Sequence, residues 1–338
     1  MYNLIRPLLF RLDPEHAHAL SLRLMQFTGR SHLLKGIVGK WFAAPPRPVH
    51  AFGLSFSNPV GLAAGYDKDG LGWRGLACLG FSHIEVGTVT LLPQSGNPKP
   101  RLFRLPEDQA LINRMGFPGQ GAAFVAQQLQ GARPPNLILG VNLGKNAATP
   151  LEQAARDYLE LMQIFARLAD YLVINVSSPN TTGLRRLQSR QALSELLGAL
   201  VDKQSWLAVE NGHRTPLLVK LAPDLEDHEL DDALDVLLSS GVDGVIATNT
   251  TISRDSLRSP AAAEPGGLSG APLRARSTQI LRRIVGNLQG KLPVVAAGGV
   301  MSYADFKEKL DAGADLVQVY TGLVYRGPGL VRELLRGY

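Results

Sequence analysis

The chain has 338 residues, 45% hydrophobic and 19% charged, with 35 Gly, 22 Pro and a formal net charge of +6. That balance excludes a disordered chain, which needs low hydrophobicity and high charge, and allows one large core. The single cysteine, Cys78, excludes an intrachain disulfide and a cysteine-rich metal site, and no apolar run reaches the roughly 20 residues that cross a bilayer.

The first forty residues read as amphipathic helices. Leu4, Ile5, Leu8, Leu9 and Leu12 recur at about helical spacing, with Pro7 as a point of delay or kinking. Asp13-Pro14 offers an N-cap followed by proline at the first helical position, and Ala17, Leu20, Leu24 and Phe27 form one stripe of the helix that follows. Six basic residues (Arg6, Arg11, Arg23, Arg30, Lys35, Lys40) stand against Asp13 and Glu15 here, a local excess of +4 within the overall +6. The start lacks a signal-peptide core followed by a small-residue cleavage site. Ala43-Ala44-Pro45-Pro46-Arg47-Pro48 is a stiff linker. The expected division is a helical extension over 1–42 and a second unit over 50–338.

Beyond residue 50 short apolar runs alternate with helical stretches. The runs are 59–63, 83–86, 137–142, 171–176, 217–221, 244–247, 293–296 and 316–320, and helices are predicted near 69–79, 119–130, 151–169, 188–209, 227–240, 273–288, 302–312 and 328–337. Near-continuous apolar strands mean a parallel sheet covered on both faces. Eight βα units predict an α/β fold, a closed (β/α)8 or TIM barrel, with the N-terminal helical extension attached. The competitor is an open doubly wound sheet, but no Gly-x-Gly-x-x-Gly turn opens the first βα unit. Residues 88–118 are too long for a plain βα loop and are expected to cover the barrel mouth.

A barrel enzyme carries its working residues at the C-terminal ends of its strands, and there this sequence turns polar. Lys68, Thr88, Asn142, Asn175, Ser178, Asn180, Lys220, Thr248, Asn249, Thr250, Tyr320 and Thr321 all fall at such ends. No His or carboxylate cluster accompanies them, so no metal is expected. Amides and hydroxyls suit a planar heterocycle, and the glycines 298, 299 and 322 follow strands seven and eight, a frequent phosphate site. A phosphate-bearing planar cofactor such as flavin mononucleotide (FMN) fits this set. Taken singly, each residue also has a plain structural use: Gly-Gly as a tight turn, Asn as a turn residue, Lys as a solvated charge. The convergence at one mouth favours function.

Several motifs resemble those of the dihydroorotate dehydrogenase family. They are Gly61-Leu62-Ala63-Ala64-Gly65-Tyr66-Asp67-Lys68-Asp69-Gly70, Glu85-Val86-Gly87-Thr88-Val89-Thr90, Asn113-Arg114-Met115-Gly116-Phe117, Asn175-Val176-Ser177-Ser178-Pro179-Asn180, Ala247-Thr248-Asn249-Thr250-Thr251 and Gly266-Gly267-Leu268-Ser269-Gly270. The resemblance runs in order from about residue 10 to the C-terminus. It implies oxidation of dihydroorotate to orotate in pyrimidine synthesis, with one FMN per chain as hydride acceptor. It assigns the base to Ser178. Soluble members carry Cys there, so Ser178 points to the quinone-reducing, membrane-associated class. It assigns substrate contacts to Lys68, Asn113, Arg114, Met115, Gly116, Phe117, Asn175, Asn180, Asn249 and Thr250. FMN contacts are carried over to Ala64, Gly65, Tyr66, Asp67, Lys68, Thr88, Asn142, Asn175, Lys220, Thr248, Gly270, Gly299, Tyr320 and Thr321. Lys220 would sit near flavin N1 and balance the reduced ring's charge.

His18 and Arg104 match family positions lining a quinone tunnel, with quinone as co-substrate. The basic, amphipathic extension suits an anionic membrane surface, and a peripheral position on the cytoplasmic face of the cell membrane is expected for a bacterial protein. The alternative for these helices is a simple cap on the barrel. Related readings are a dihydropyrimidine dehydrogenase or a soluble fumarate- or NAD-linked enzyme, against which Ser178 and the extension argue. A non-catalytic barrel that binds a phosphorylated ligand is the alternative from another class. Nucleic acid is not expected as a partner, because no basic run carries interleaved aromatics.

Overall fold

A computed structural model describes residues 2–338, so the first residue of the expected 1–42 extension lies outside the described residues. Helix α1 (Tyr2–Leu9) keeps Pro7 within it. Helix α2 (Pro14–Arg30) starts as the sequence predicts: the Asp13 carboxylate accepts the His16 backbone N–H at 3.0 Å, and Pro14 takes the first helical position. Ser31 caps α3 (His32–Phe42) in the same manner, accepting from the Leu34 N–H. After the linker, β1 (Val49–Ala51) and β2 (Leu54–Phe56) form an antiparallel hairpin.

The rest of the chain runs β3 (Val60–Asp67), α4 (Trp73–Leu76), β4 (His83–Val89), β5 (Leu102–Leu105), β6 (Ala110–Asn113), α5 (Gly121–Leu129), β7 (Ile138–Leu143), α6 (Ala154–Phe165) and β8 (Tyr171–Asn175). It continues α7 (Arg190–Asn211), β9 (Leu217–Leu221), α8 (Asp227–Ser240), β10 (Gly244–Ala247), β11 (Gly267–Gly270), α9 (Arg274–Leu288) and β12 (Val294–Ala297). Helix α10 (Tyr303–Asp311), β13 (Leu316–Val319), α11 (Thr321–Arg326) and α12 (Leu330–Arg336) complete it. Strands β3-β4-β7-β8-β9-β10-β12-β13 form a closed parallel barrel, and β13 returns to β3 with Val317 opposite Val60. That last pairing removes the open-sheet alternative.

All eight predicted runs are barrel strands, and 217–221 and 244–247 match end to end. Strand β3 outruns its predicted end. Gly65 takes φ +97°, the register against β4 shifts between Leu62 and Asp67, and this irregularity carries the strand past the glycine that reads as a stop. The predicted helix 69–79 shrinks to α4 and one 3-10 turn, Ala77–Leu79. Helix α11 was not predicted. The covering segment 88–118 holds β5 and β6, which β11 joins in a three-stranded antiparallel sheet of order β11-β6-β5.

The main core lies between barrel and helices, around Trp73, Ile84, Tyr158 and Phe165. A second core fills the lower barrel, where Phe56 of the hairpin meets Tyr171, Leu218, Ile246 and Leu316. Fully burying each such side chain is worth about 1.5–3 kcal/mol. The hairpin therefore plugs one end and leaves the other for chemistry. Helix α2 packs on α4 at van der Waals range because Gly75 has no side chain: a Cβ there would overlap the Met25 carbonyl.

Candidate active site

The site is a cavity of about 500 Å³ at the C-terminal mouth of the barrel, walled by strand ends, the β5–β6–β11 sheet and α2. That volume suits a small organic ligand. The end of β3 supplies one wall. The buried Asp67 carboxylate accepts the Leu71 and Gly72 N–H groups, both at 2.8 Å, and so fixes the turn that follows. Burial pushes Asp67 up to about 6. Lys68 donates to the Gly65 carbonyl at 2.7 Å, and burial pushes its ammonium down to about 8.

Amides from successive strands interlock below. Thr88 Oγ1 donates to Asn142 Oδ1 at 2.6 Å, and Asn175 Nδ2 donates to both at 3.0 and 3.1 Å. Asn249 Nδ2 donates to Ser177 Oγ at 2.9 Å and to Asn175 Oδ1 at 3.3 Å. Each amide is thereby fixed in orientation, the condition for reading a ligand's carbonyl and N–H pattern. Deeper in the barrel the buried Glu85 accepts from Asn142 Nδ2 at 3.3 Å, from the Tyr171 hydroxyl at 3.4 Å and from Gln318 Nε2.

Lys220 on β9 lines the cavity, buried, with no hydrogen bond or ion pair among the described residues. Burial lowers its pKa, and the Glu85 carboxylate opposes that shift. A buried cation without a protein partner is costly unless a ligand supplies the compensating charge or acceptor.

The opposite wall comes from loops. Ser178 lines the cavity, and its Oγ accepts the Asn180 N–H at 3.2 Å. Asn180 Nδ2 donates to Asn113 Oδ1 at 3.0 Å, and Asn113 Nδ2 donates to the Gly267 carbonyl of β11 at 3.4 Å. Thr250 presents its backbone N–H to Asn249 Oδ1 at 2.8 Å. Met115, Gly116 and Phe117 reach the cavity; the Arg114 side chain does not. Arg114 turns outward to Glu264 at 2.6 Å and lies over the Phe103 ring.

At the far end Gly298 and Gly299 take φ +111° and +78°, and a Cβ at Gly299 would overlap the Arg274 backbone. Thr321 Oγ1 and Ser269 Oγ lie 2.9 Å apart, and the Tyr320 hydroxyl donates to the Gly65 carbonyl at 3.4 Å. Ala64, Gly65, Thr248 and Gly270 line the same space. Tyr66 and Asn142 stand one layer back, Asn142 holding Thr88 and Asn175, and Tyr66 stacking edge-on to Tyr320 at 5.5 Å. His18 of α2 continues the aromatic row, 4.9 Å from Tyr66, and lines the cavity. Burial first, then the Lys68 charge, holds His18 down to about 3, so its imidazole is neutral. Arg104 is not a cavity residue. Its guanidinium donates to the Leu12 and Phe10 carbonyls at 2.8 and 3.1 Å and covers the Phe10 ring, binding the α1–α2 turn to β5.

Sequence reasoning missed the residues that position others. Arg185 donates to the Ser177 and Thr250 carbonyls, both at 3.0 Å, and pairs with Asp224 at 2.7 Å. Asn97 Nδ2 bridges the Arg114 and Asn180 carbonyls at 2.9 and 3.2 Å. Their partners lie in other loops, so no local spacing marks them.

A model of the dihydroorotate dehydrogenase family matches residues 48–337. A dihydroorotate dehydrogenase (quinone) from Chromobacterium violaceum is 50% identical over 99% of this chain and 97% of its own length. One from Flavobacterium lutescens is 51% identical over 98% of this chain and 95% of its own. Among solved structures, the Eimeria tenella enzyme in complex with ferulenol superposes with a TM-score of 0.86 at 39% identity, covering 96% of this chain and 90% of that one. Its ligand-free form gives 0.84 at 39% identity over 94% and 92%.

Proposed function

The chain belongs to the dihydroorotate dehydrogenase family, and from that premise we propose that it oxidises dihydroorotate to orotate in pyrimidine synthesis, with FMN as hydride carrier and a quinone as terminal acceptor. The observation that carries the reading is Lys220. It is a buried ammonium without a hydrogen-bond or ion-pair partner among the described residues, in the same cavity as Ser178 and a locked set of amides. Such a cation fits the electron-accepting edge of a flavin, and the glycines at 298 and 299 leave backbone free to meet a phosphate. FMN, when bound, supplies the hydride acceptor.

The chain's own residues supply the rest. Lys68 meets the substrate carboxylate, and its ammonium is charged below about pH 8. Asn113, Asn180 and Asn249, held by the hydrogen bonds above, read the pyrimidine edge, with Asn175 beneath them. Ser178 takes the proton from substrate C5. A hydroxyl is a feeble base, so its efficiency rests on fixed placement, which the Asn180 N–H provides.

The second half-reaction belongs to the extension. Helices α1–α3 leave Leu4, Leu8, Leu24, Phe27, Leu33 and Trp41 exposed beside their basic residues, a surface that suits peripheral attachment to an anionic membrane. No helix among the described residues is long and apolar enough to cross a membrane. His18 sits where a quinone head group entering along α2 would meet the cavity, while Arg104 braces the entrance. Residues 1–42 thus serve quinone and membrane, and 50–338 the flavin and substrate. The test is anaerobic titration of the yellow holoenzyme with dihydroorotate, then with a water-insoluble quinone. The flavin spectrum bleaches and then recovers. A spectrum indifferent to dihydroorotate removes the reading.

A further inference from the structure

A chain of polar contacts runs from the helical extension to the loop that carries Ser178. It starts at Glu15 in the first turn of α2. Arg101 donates to Glu15 Oε1 through Nε at 3.1 Å and through Nη2 at 2.9 Å. The same Arg101, itself buried, donates to the Ser95 and Asn97 carbonyls at 2.6 and 2.9 Å. Asn97 passes the contact on to the Arg114 and Asn180 carbonyls, and Asn180 holds Ser178 Oγ. Glu15 and Arg101 both line the cavity, as Lys68 does.

We propose that Glu15 is a positioning residue for the dihydroorotate half of the reaction, acting from the extension through Arg101 on the Asn97–Asn180–Ser178 loop and on Lys68. This rests on the dihydroorotate reading above and deepens it. Helix α2 is then shared between the two half-reactions.

Two physical effects follow from Glu15. The first is mechanical. Arg101 ties α2 to the Ser95 and Asn97 carbonyls. Neutralising its carboxylate partner weakens a charge-assisted, largely buried pair, whose loss exceeds that of a surface pair. The second is electrostatic. The charged groups around Lys68 are Asp67 and Asp69 at the end of its own strand, Arg101 from the covering loop, and Glu15 from α2, with the neutral His18 beside them. Lys99 approaches the far oxygen of Glu15 at 3.7 Å but is largely exposed. Glu15 favours the Lys68 ammonium and Arg101 opposes it. Removing the Glu15 charge leaves Arg101 uncompensated, so Lys68 loses its proton at lower pH, and with it the attraction for a carboxylate.

The test uses the holoenzyme and its Glu15→Gln and Glu15→Asp variants, with flavin content as a check on folding. Orotate is titrated across the alkaline range by its perturbation of the flavin spectrum, and flavin reduction by dihydroorotate is followed without quinone. In Glu15→Gln, orotate binds about tenfold more weakly at neutral pH, and the alkaline loss of affinity falls at lower pH than in the parent. Glu15→Asp keeps the charge, so its alkaline midpoint stays with the parent's while its affinity falls modestly. A Gln profile that superimposes on the parent's, or one weakened equally at every pH, overturns the proposal. A parent that neither binds orotate nor bleaches with dihydroorotate overturns the functional reading beneath it, and that outcome is distinct.

Discussion

At the scale of single residues the site divides into side chains that line the cavity and side chains that hold them. Ser178 belongs to the first. Replacing it with Ala leaves the amide network, Lys68 and Lys220 in place, because its own oxygen accepts a single backbone N–H. Ser178→Ala therefore retains flavin, and stopped-flow reduction by dihydroorotate slows by about a hundredfold or more. Equal rates in variant and parent would take Ser178 out of the base role. Most cavity-lining residues were readable because they stand at the polar ends of apolar runs, where the barrel's geometry gathers them whatever their sequence separation, while Asn113 and Met115–Phe117 in the 88–118 segment rested on the family resemblance. The holding residues were not. Arg185 and Asn97 act on carbonyls of distant loops, and a carbonyl leaves no trace in a side-chain pattern. Arg114 shows the converse: its motif neighbours line the cavity, yet its guanidinium turns away to Glu264.

At the scale of elements, the docking of α2 decides whether the extension can serve the cavity at all. Gly29 and Gly75 let the two backbones meet: a Cβ on Gly29 would lie 2.9 Å from both Arg74 Cβ and the Gly75 nitrogen. Gly75→Ala forces α2 outward at a cost of about 1–3 kcal/mol, which calorimetry reads as a Tm lower by about 2–6 °C. Hydrogen exchange should rise in α2 before it rises in the barrel strands, and an unchanged α2 would refute the close-packing argument. If α2 served quinone alone, loss of residues 1–42 would spare flavin reduction. The Glu15–Arg101 contact changes that expectation, because it ties the same helix to the substrate loop. The outer face of the extension is a separate matter. Leu24 and Phe27 are 58% and 64% exposed on α2, clear of the cavity. Leu24→Glu with Phe27→Glu should weaken sedimentation with anionic liposomes by about tenfold or more. Flavin reduction by dihydroorotate should stay at the parent rate. Undiminished liposome binding would point away from this face.

At the scale of the whole molecule, the closed barrel sets both what is held open and what is sealed. The sealed end buries His83, between Phe56 at 5.3 Å and Tyr171 at 6.4 Å, with Nδ1 3.0 Å from Ser82 Oγ and Nε2 without a hydrogen-bond partner among the described residues. Burial holds its imidazole down to about 3, against 6.5 in the unfolded chain. Between those values the unfolded state binds the proton and the native state does not. The contribution of neutral His83 to stability is thus whole above about pH 6.5 and lost as pH falls toward about 3. His83→Leu should flatten the acid side of a Tm-against-pH curve, and an unchanged acid slope would assign it to other groups. By itself the sequence determined the eight strands, the mouth at which they turn polar, the Asp13 cap of α2 and most of the polar residues that line the cavity, because apolar periodicity, capping and strand-end polarity are local properties of the chain. The tertiary structure alone decided three things: that β11 joins β5 and β6 into one sheet, that the β1–β2 hairpin plugs the barrel, and that Glu15 reaches Arg101. Each of these depends on which distant segments closure of the barrel brings within a few ångströms, and no local pattern encodes that proximity.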